Sequence, residues 1–224
     1  MPHPLDNPVW CSLAGRHAPL ARRCGRAARY PAEAAPFVAV EAADADAEAD
    51  ARQLVAPGES ICFVGPAPPL SSGWRILEST TIAQLARAAR LDEVAGPPIV
   101  ALGPGDVDDL LSLTARVYPH YFRRRTIEMG RYFGIRIDGT LAAMAGERMQ
   151  FDGHCEISAV CTDPAFLGRG YARRLIAMLT NDIVGRGDVA FLHFSHGNVR
   201  AKAVYEGLGF SYRAEIPLVV AMRV

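Results

Sequence analysis

Apolar residues recur with clear periods in the second half of the chain and only loosely in the first. In "RYFGIRIDG", Phe133, Ile135 and Ile137 alternate with Tyr132, Gly134 and Arg136, the period-2 pattern of a half-buried strand. Asp138-Gly139 and Asp152-Gly153 are favoured hairpin turns, so Tyr132 to Ile137, Leu141 to Met149 and Glu156 to Thr162 are expected to form an antiparallel meander. The segment "GYARRLIAMLTNDIVG" then places Ala172, Leu175, Ile176, Leu179 and Ile183 on one helical face and stops at Gly185; "VAFLHFS" after it reads as a buried strand. Strand, glycine loop, helix and parallel strand is the order implied. "GPGDVDDLLSLTARVY" predicts a helix ahead of the meander, and "HGNVRAKAVYEGLGF" a last helix starting at Asn198 with Ala201 and Tyr205 on one face.

The first half is weaker in pattern. "APFVAV", "SICFVG" and "WRILEST" read as short strands, and "TIAQLARAARLDEV" as a helix with Ile82, Leu85, Ala86 and Ala89 aligned. "EAADADAEADARQL" is alanine-rich and reads as a helix with a solvated acidic face, "ARRCGRAARY" as a basic helix face or loop. The two prolines of "AGPPIV" cannot continue a helix and precede a new apolar run, which divides the chain into an N-terminal α/β region, 1–98, and a second domain, 99–224. The whole is expected to be α/β, with a mixed sheet of antiparallel meander and parallel pair flanked by helices.

Composition changes this picture little. The 224 residues are 50% hydrophobic and 21% charged, with 24 basic and 24 acidic side chains, so no global field favours nucleic acid or a membrane surface. Five cysteines without CxxC spacing suggest reduced thiols and a cytoplasmic setting. "MPHPLDNPVW" lacks the pattern of an export signal, and no run of eighteen apolar residues marks a membrane span.

Chemistry concentrates in "TDPAFLGRGYARRLIAML". Glycines at a helix start let an anion approach unpaired backbone N–H groups, so the amides of Gly168, Arg169, Gly170, Tyr171 and Ala172 are expected to hold a phosphate, with the Arg169 side chain as an added cation. A Walker loop needs Lys-Ser/Thr after its last glycine, and Tyr171-Ala172 stands there; the dinucleotide fingerprint needs a third glycine, which "GRGYAR" lacks.

Two motifs together, "EISAVCTDP" running into "FLGRGYA" and N-x-x-A-x-x-x-Y-x-x-x-G-F from Asn198 to Phe210, resemble the GNAT superfamily of acetyl-CoA-dependent N-acyltransferases over roughly residues 99 to 224. Their wording is nearest the glycine N-acyltransferase-like branch. The resemblance implies an acetyl (or short acyl) group moved from acetyl-CoA to a primary amine, on a small molecule or a protein, by direct attack in a ternary complex. It implies that the loop amides take the CoA pyrophosphate, that the backbone of Val160 and Thr162 pairs with the pantetheine arm, and that Asn198 and Ala201 line its other side. Tyr205 would protonate the leaving thiolate. An N–H near Val160 would meet the oxyanion. Tyr118, His120 and Tyr121 lie where such proteins shape the acceptor pocket. The family usually carries Arg or Gln where this chain has Leu167, so one side-chain bond to phosphate is missing.

An alkylamine with a pKa of about 10 is protonated at neutral pH, so acyl transfer requires a base. Glu156, eleven residues before Leu167, stands where histone-acetylating relatives carry a glutamate. It acts there directly or through water, or is a salt-bridged carboxylate at a strand start. His193 is a second candidate or a core histidine. His154, His193, His196, Cys155 and Cys161 match no metal framework, so no metal is expected. A non-catalytic acyl-CoA sensor of the same fold is the alternative function.

Overall fold

The computed structural model describes residues 3–117, 119 and 122–224, so Tyr118, His120 and Tyr121 lie outside the described residues. In chain order the elements are α1 (Pro8–Ala14), β1 (Arg22–Cys24), β2 (Ala27–Arg29), β3 (Val38–Val40), α2 (Ala45–Leu54), β4 (Ser60–Val64), β5 (Trp74–Arg87), β6 (Val100–Leu102), α3 (Val107–Val117), β7 (Tyr132–Ile137), β8 (Thr140–Phe151), β9 (His154–Thr162), α4 (Tyr171–Gly185), β10 (Val189–Phe194), α5 (Val199–Gly207) and β11 (Ser211–Arg223). Eight strands make one sheet in the order β4-β11-β5-β10-β9-β8-β7-β6, and β1-β2-β3 make a smaller one. A single parallel bridge, Phe37 to Cys62, joins the small sheet to β4.

The meander forms as its turns predict, with strands somewhat longer than expected, and β9 and β10 make the one parallel pair of the large sheet. β7 is not half-buried, however. Ile135 packs against Leu175 and its neighbours on α4, while Tyr132 packs with Leu110 and Leu113 of α3, so helices cover both faces. Asp44 caps α2 by accepting from Ala47 N at 3.0 Å. The stretch "ARRCGRAARY" is neither helix nor loop: β1 and β2 form a hairpin around Gly25, whose φ of +47° suits a residue without Cβ.

The largest correction is β5. The segment expected to be the helix "TIAQLARAARLDEV" continues "WRILEST" as one strand of 14 residues, paired with β11 on one side and β10 on the other. Ala, Leu and Arg favour helix, but pairing with β10 and β11 makes this a strand, and Ile82, Ala83, Gln84 and Leu85 are buried in succession because both its faces are covered. The Pro97-Pro98 step therefore separates β5 from β6 along the chain, while β4 and β5 lie in the same sheet as β6 to β11.

The large sheet has two unlike faces. Ala83, Leu85, Cys155, Ile157, Ala190 and Leu192 pack against Leu175, Ile176, Leu179 and Ile183 of α4. On the other face Ile82, Met149, Phe151 and Phe191 meet Leu5, Val9 and Leu13 around α1.

Candidate active site

The parallel ladder of β9 and β10 runs only from Val189–His154 to Phe191–Glu156 and then stops. β10 follows β5 to the Phe194–Ala83 pair, β9 follows β8 to the Ala143–Thr162 pair, and a wedge opens between them. Ser158, Ala159 and Val160, along this unpaired edge, are half-buried. The partners step from Gly146–Ser158 to Met144–Cys161, so Ala145 faces two residues, and Ala159 takes a φ of +52°. A bulge of this kind leaves one residue's backbone groups out of the ladder, and a left-handed alanine costs about 1–2 kcal/mol. The backbone at Ala159–Val160 thus makes a strained turn inside a strand, beside the edge that β10 leaves unpaired.

At the far end of β9 the chain passes through a 3₁₀ turn, Pro164–Phe166, held by Asp163 accepting from Ala165 N at 2.9 Å. Gly168 and Gly170 both have φ of +77°, and a Cβ built on either meets nothing within 4 Å. Gly170 caps α4 without any side-chain bond, so the first-turn amides open onto that space. Arg169 lies with its guanidinium 5.1 Å from the Phe166 ring centre, and Leu167 is exposed. Tyr171 turns its ring into the core, leaving only its backbone to the loop, and Ala172 is half-buried beside it.

Across the wedge, Asn198 caps α5: its Oδ1 accepts from Ala201 N at 3.0 Å. Ala201 is half-buried against the core. Tyr205 is buried with its ring 5.9 Å from Phe194 and 6.4 Å from Phe210. Val160 and Thr162 thus lie on β9 and Gly168 to Ala172 on the loop and helix start it leads into, while Asn198 and Ala201 open the helix that follows β10.

Glu156 sits at the point of separation and is fully buried. Arg148 donates Nε to Oε2 at 2.8 Å and Nη2 to Oε1 at 2.7 Å; Met149 N adds a bond of 3.3 Å and His193 Nδ1 one of 2.8 Å. Burial pushes this carboxyl up, but the Arg148 charge and the bonds from Arg148 and His193 outweigh it and hold the group at about 2. Of the roles open to Glu156, the structure shows the ion-paired one directly. His193 is equally enclosed: its Nε2 lies 2.8 Å from Gln84 Nε2. His196 pairs instead with Glu215, and His154 stacks on Phe151. Burial pushes the Cys161 thiol up to about 12, a poor state for a nucleophile.

Sequence reasoning missed Gln84, Arg148 and the bulge at Ala159. Gln84 lay in the stretch read as helix. Arg148 lies in the second meander strand, where a register shift between the Glu147–Ile157 and Gln150–Cys155 pairs brings it to Glu156.

Comparison with known proteins agrees with this fold. The FR47-like protein family matches residues 132–217. A crystal structure of a GNAT-family protein from Novosphingobium aromaticivorans is 35% identical, covers 100% of both chains and superposes with a TM-score of 0.91. The chain therefore belongs to the GNAT family of acetyltransferases. A GCN5-related N-acetyltransferase from Kribbella flavida, 18% identical with 97% of this chain and 95% of that one covered, shares the fold at a TM-score of 0.64. Among curated proteins, N-alpha-acetyltransferase RimI of Mycobacterium tuberculosis is 36% identical over 84 residues, 35% of this chain. The chain spans about half, 51%, of that relative's length. Among the described residues no helix is long and apolar enough to cross a membrane.

Proposed function

We propose that this protein transfers an acetyl group from acetyl-CoA to a primary amine by direct attack, without a covalent enzyme intermediate. The observation that carries the reading is the coincidence, along one strand, of three features: the separation of β9 from β10, the bulge at Ala159, and the open glycine loop that follows. The residues fit acetyl-CoA. First-turn amides of α4 face space that a Cβ at Gly168 or Gly170 would begin to fill, and the unpaired edge from Ser158 to Thr162 offers an extended arm the hydrogen bonds a neighbouring strand would take. When bound, acetyl-CoA supplies an activated thioester.

The chain's own residues divide the rest. Val160 and Thr162 orient the donor through their backbone, the bulged N–H steadies the developing oxyanion, and Tyr205 donates a proton to the departing sulfur. Glu156 is already saturated by donors and ionised, so the amine proton leaves through water at the half-buried edge of the wedge. The acceptor is an amine rather than a hydroxyl, and the partial likeness to a protein N-alpha-acetyltransferase supports the α-amino group of a polypeptide. Leu167 and the enclosed Glu156 favour the second reading, a sensor that binds acyl-CoA and transfers nothing. Incubation with acetyl-CoA, an amine pool and a peptide library, read by mass spectrometry, separates the two. Acetylated peptide is expected; binding in calorimetry with no acetylated product on any amine leaves the sensor.

A further inference from the structure

Between the wedge and the N-terminal segment, one residue from each of five adjacent strands joins a single line of hydrogen bonds across the sheet. Arg213 of β11 donates Nε to Gln84 Oε1 of β5; Gln84 Nε2 meets His193 Nε2 of β10 at 2.8 Å; His193 Nδ1 meets Glu156 Oε1 of β9 at 2.8 Å; Arg148 of β8 closes on the same carboxylate. Register irregularities bring in both ends: Arg213 falls in the shift between Tyr212 and Ala214, and Arg148 in the one between Glu147 and Gln150. Beyond them Arg213 reaches Asp6 Oδ1 at 2.5 Å, and the Arg148 guanidinium stacks 5.0 Å from the Phe37 ring centre.

The direction of every bond in this line is fixed by chemistry. A guanidinium only donates, so the Gln84 oxygen faces Arg213. The Gln84 amide nitrogen then has two acceptors to serve, and one is the backbone oxygen of Leu5 at 2.9 Å. The other is His193 Nε2, which must be the bare nitrogen of a neutral ring. The proton therefore sits on Nδ1 and is donated to Glu156. Gln84 has no exposed surface and the His193 side chain is 3% exposed, so water does not compete for either side chain.

We infer that Gln84 is a positioning residue for acyl transfer: it locks His193 in the Nδ1–H tautomer, and His193 in turn ties Glu156 to β10 at the last rung before the wedge opens. Glu156 pairs with Phe191 in the ladder, and the His193 bond crosses from β9 to β10 one step beyond it, where the backbones no longer hold each other. That bond sets where the strands part, and hence where the bulge at Ala159 stands relative to the donor. The line also gives the N-terminal half a task in the site, since Gln84, Leu5, Asp6 and Phe37 all come from before the Pro97-Pro98 step. The inference rests on the acetyl-transfer reading only for its kinetic consequence.

The test is ¹⁵N-histidine NMR of the full chain, with His193 assigned through its backbone. A neutral ring protonated on Nδ1 at pH 7 is expected; an Nε2–H ring or an imidazolium in the wild-type protein overturns the line of bonds whatever the activity. In Gln84→Glu the new carboxylate accepts from Arg213 and from His193 Nε2, so the His193 signals move to those of an imidazolium. kcat falls roughly 10- to 100-fold with the KM for acetyl-CoA within about twofold, as for a misplaced rather than a missing group. Gln84→Met, which removes the donor without adding charge, moves His193 toward a mixture of tautomers and lowers kcat in the same way, and carries the test if Gln84→Glu does not fold. Unchanged kcat in a folded variant with an altered His193 ring overturns the positioning role. A wild-type protein that shows the Nδ1–H ring yet acetylates nothing removes the transfer reading, and the role of Gln84 in transfer with it.

Discussion

The two halves of β9 differ in almost every respect, although only one residue separates them. From His154 to Glu156 the strand is flanked by β8, with a register shift at Glu156, and by β10; Cys155 and Glu156 have no exposure, and the Glu156 carboxylate is satisfied by named partners. From Ser158 to Thr162 it is paired on one side only, bulged, and followed by a loop with two left-handed glycines. The first half is stabilised by closure and the second made useful by its absence. An open edge of N–H and C=O groups is a liability in most sheets, and in the function proposed above it supplies what a donor arm needs.

The sharpest way to break the contrast is at the open end. Gly170→Val forces a β-branched residue into φ of +77° and puts carbon into the space before the α4 amides. Losing two charge-assisted bonds at about 1.5–3 kcal/mol each should weaken acetyl-CoA binding by roughly 10²-fold or more in calorimetry. An unchanged affinity in the folded variant removes the loop from the account. At the closed end, Glu156→Gln removes the buried carboxylate that the half-buried Arg148 and His193 hold, and denaturant unfolding should show a loss of about 1–3 kcal/mol. A rate that recovers as pH rises, with stability intact, would restore Glu156 as the base. Between the ends, Tyr205→Phe keeps the packing on Phe194 and Phe210 and should lower kcat on the order of 10²-fold with acetyl-CoA affinity unchanged; normal turnover assigns the ring to packing alone.

Two buried groups of the closed regions should respond to acid one after the other. Burial chiefly depresses His17, which lies 3.0 Å from Ser12 and 2.9 Å from Tyr30, from 6.5 to about 4. The unfolded ring takes up its proton first, so this contribution is complete above about pH 6.5 and is lost as pH falls through about 4. For Glu156, depressed from 4.5 to about 2, the contribution is complete above about pH 4.5 and is lost toward about 2. Tm should therefore fall first between about pH 6.5 and 4, and His17→Gln should remove that step; a flat Tm across that interval contradicts the assignment. The smallest effect is expected for Cys161→Ser, which should leave kcat within about twofold, since a buried thiol raised to about 12 does not serve as a nucleophile.

Much of the open half was legible in the letters. Asp-Gly turns specify φ locally, so the meander followed from Asp138-Gly139 and Asp152-Gly153; glycines before an amphipathic run specify a helix start, so the beginning of α4 at Tyr171 followed from Gly168 and Gly170. The capping role of Asn198 was likewise local. The segment around Gln84 was not legible, because its residues favour helix and were made a strand by β10 and β11, which come more than a hundred positions later.

The sequence by itself determined what depends on neighbours within a turn or two: the hairpins, the period of α4, and the glycine loop at its start. Only the tertiary structure decided where β9 and β10 part, that Ala159 is bulged, that Glu156 is enclosed by Arg148 and His193, and that Gln84 stands beside them. Strand order, register shifts and burial are set by contacts between distant segments, and a carboxylate's protonation follows from what surrounds it, so no local pattern could carry them.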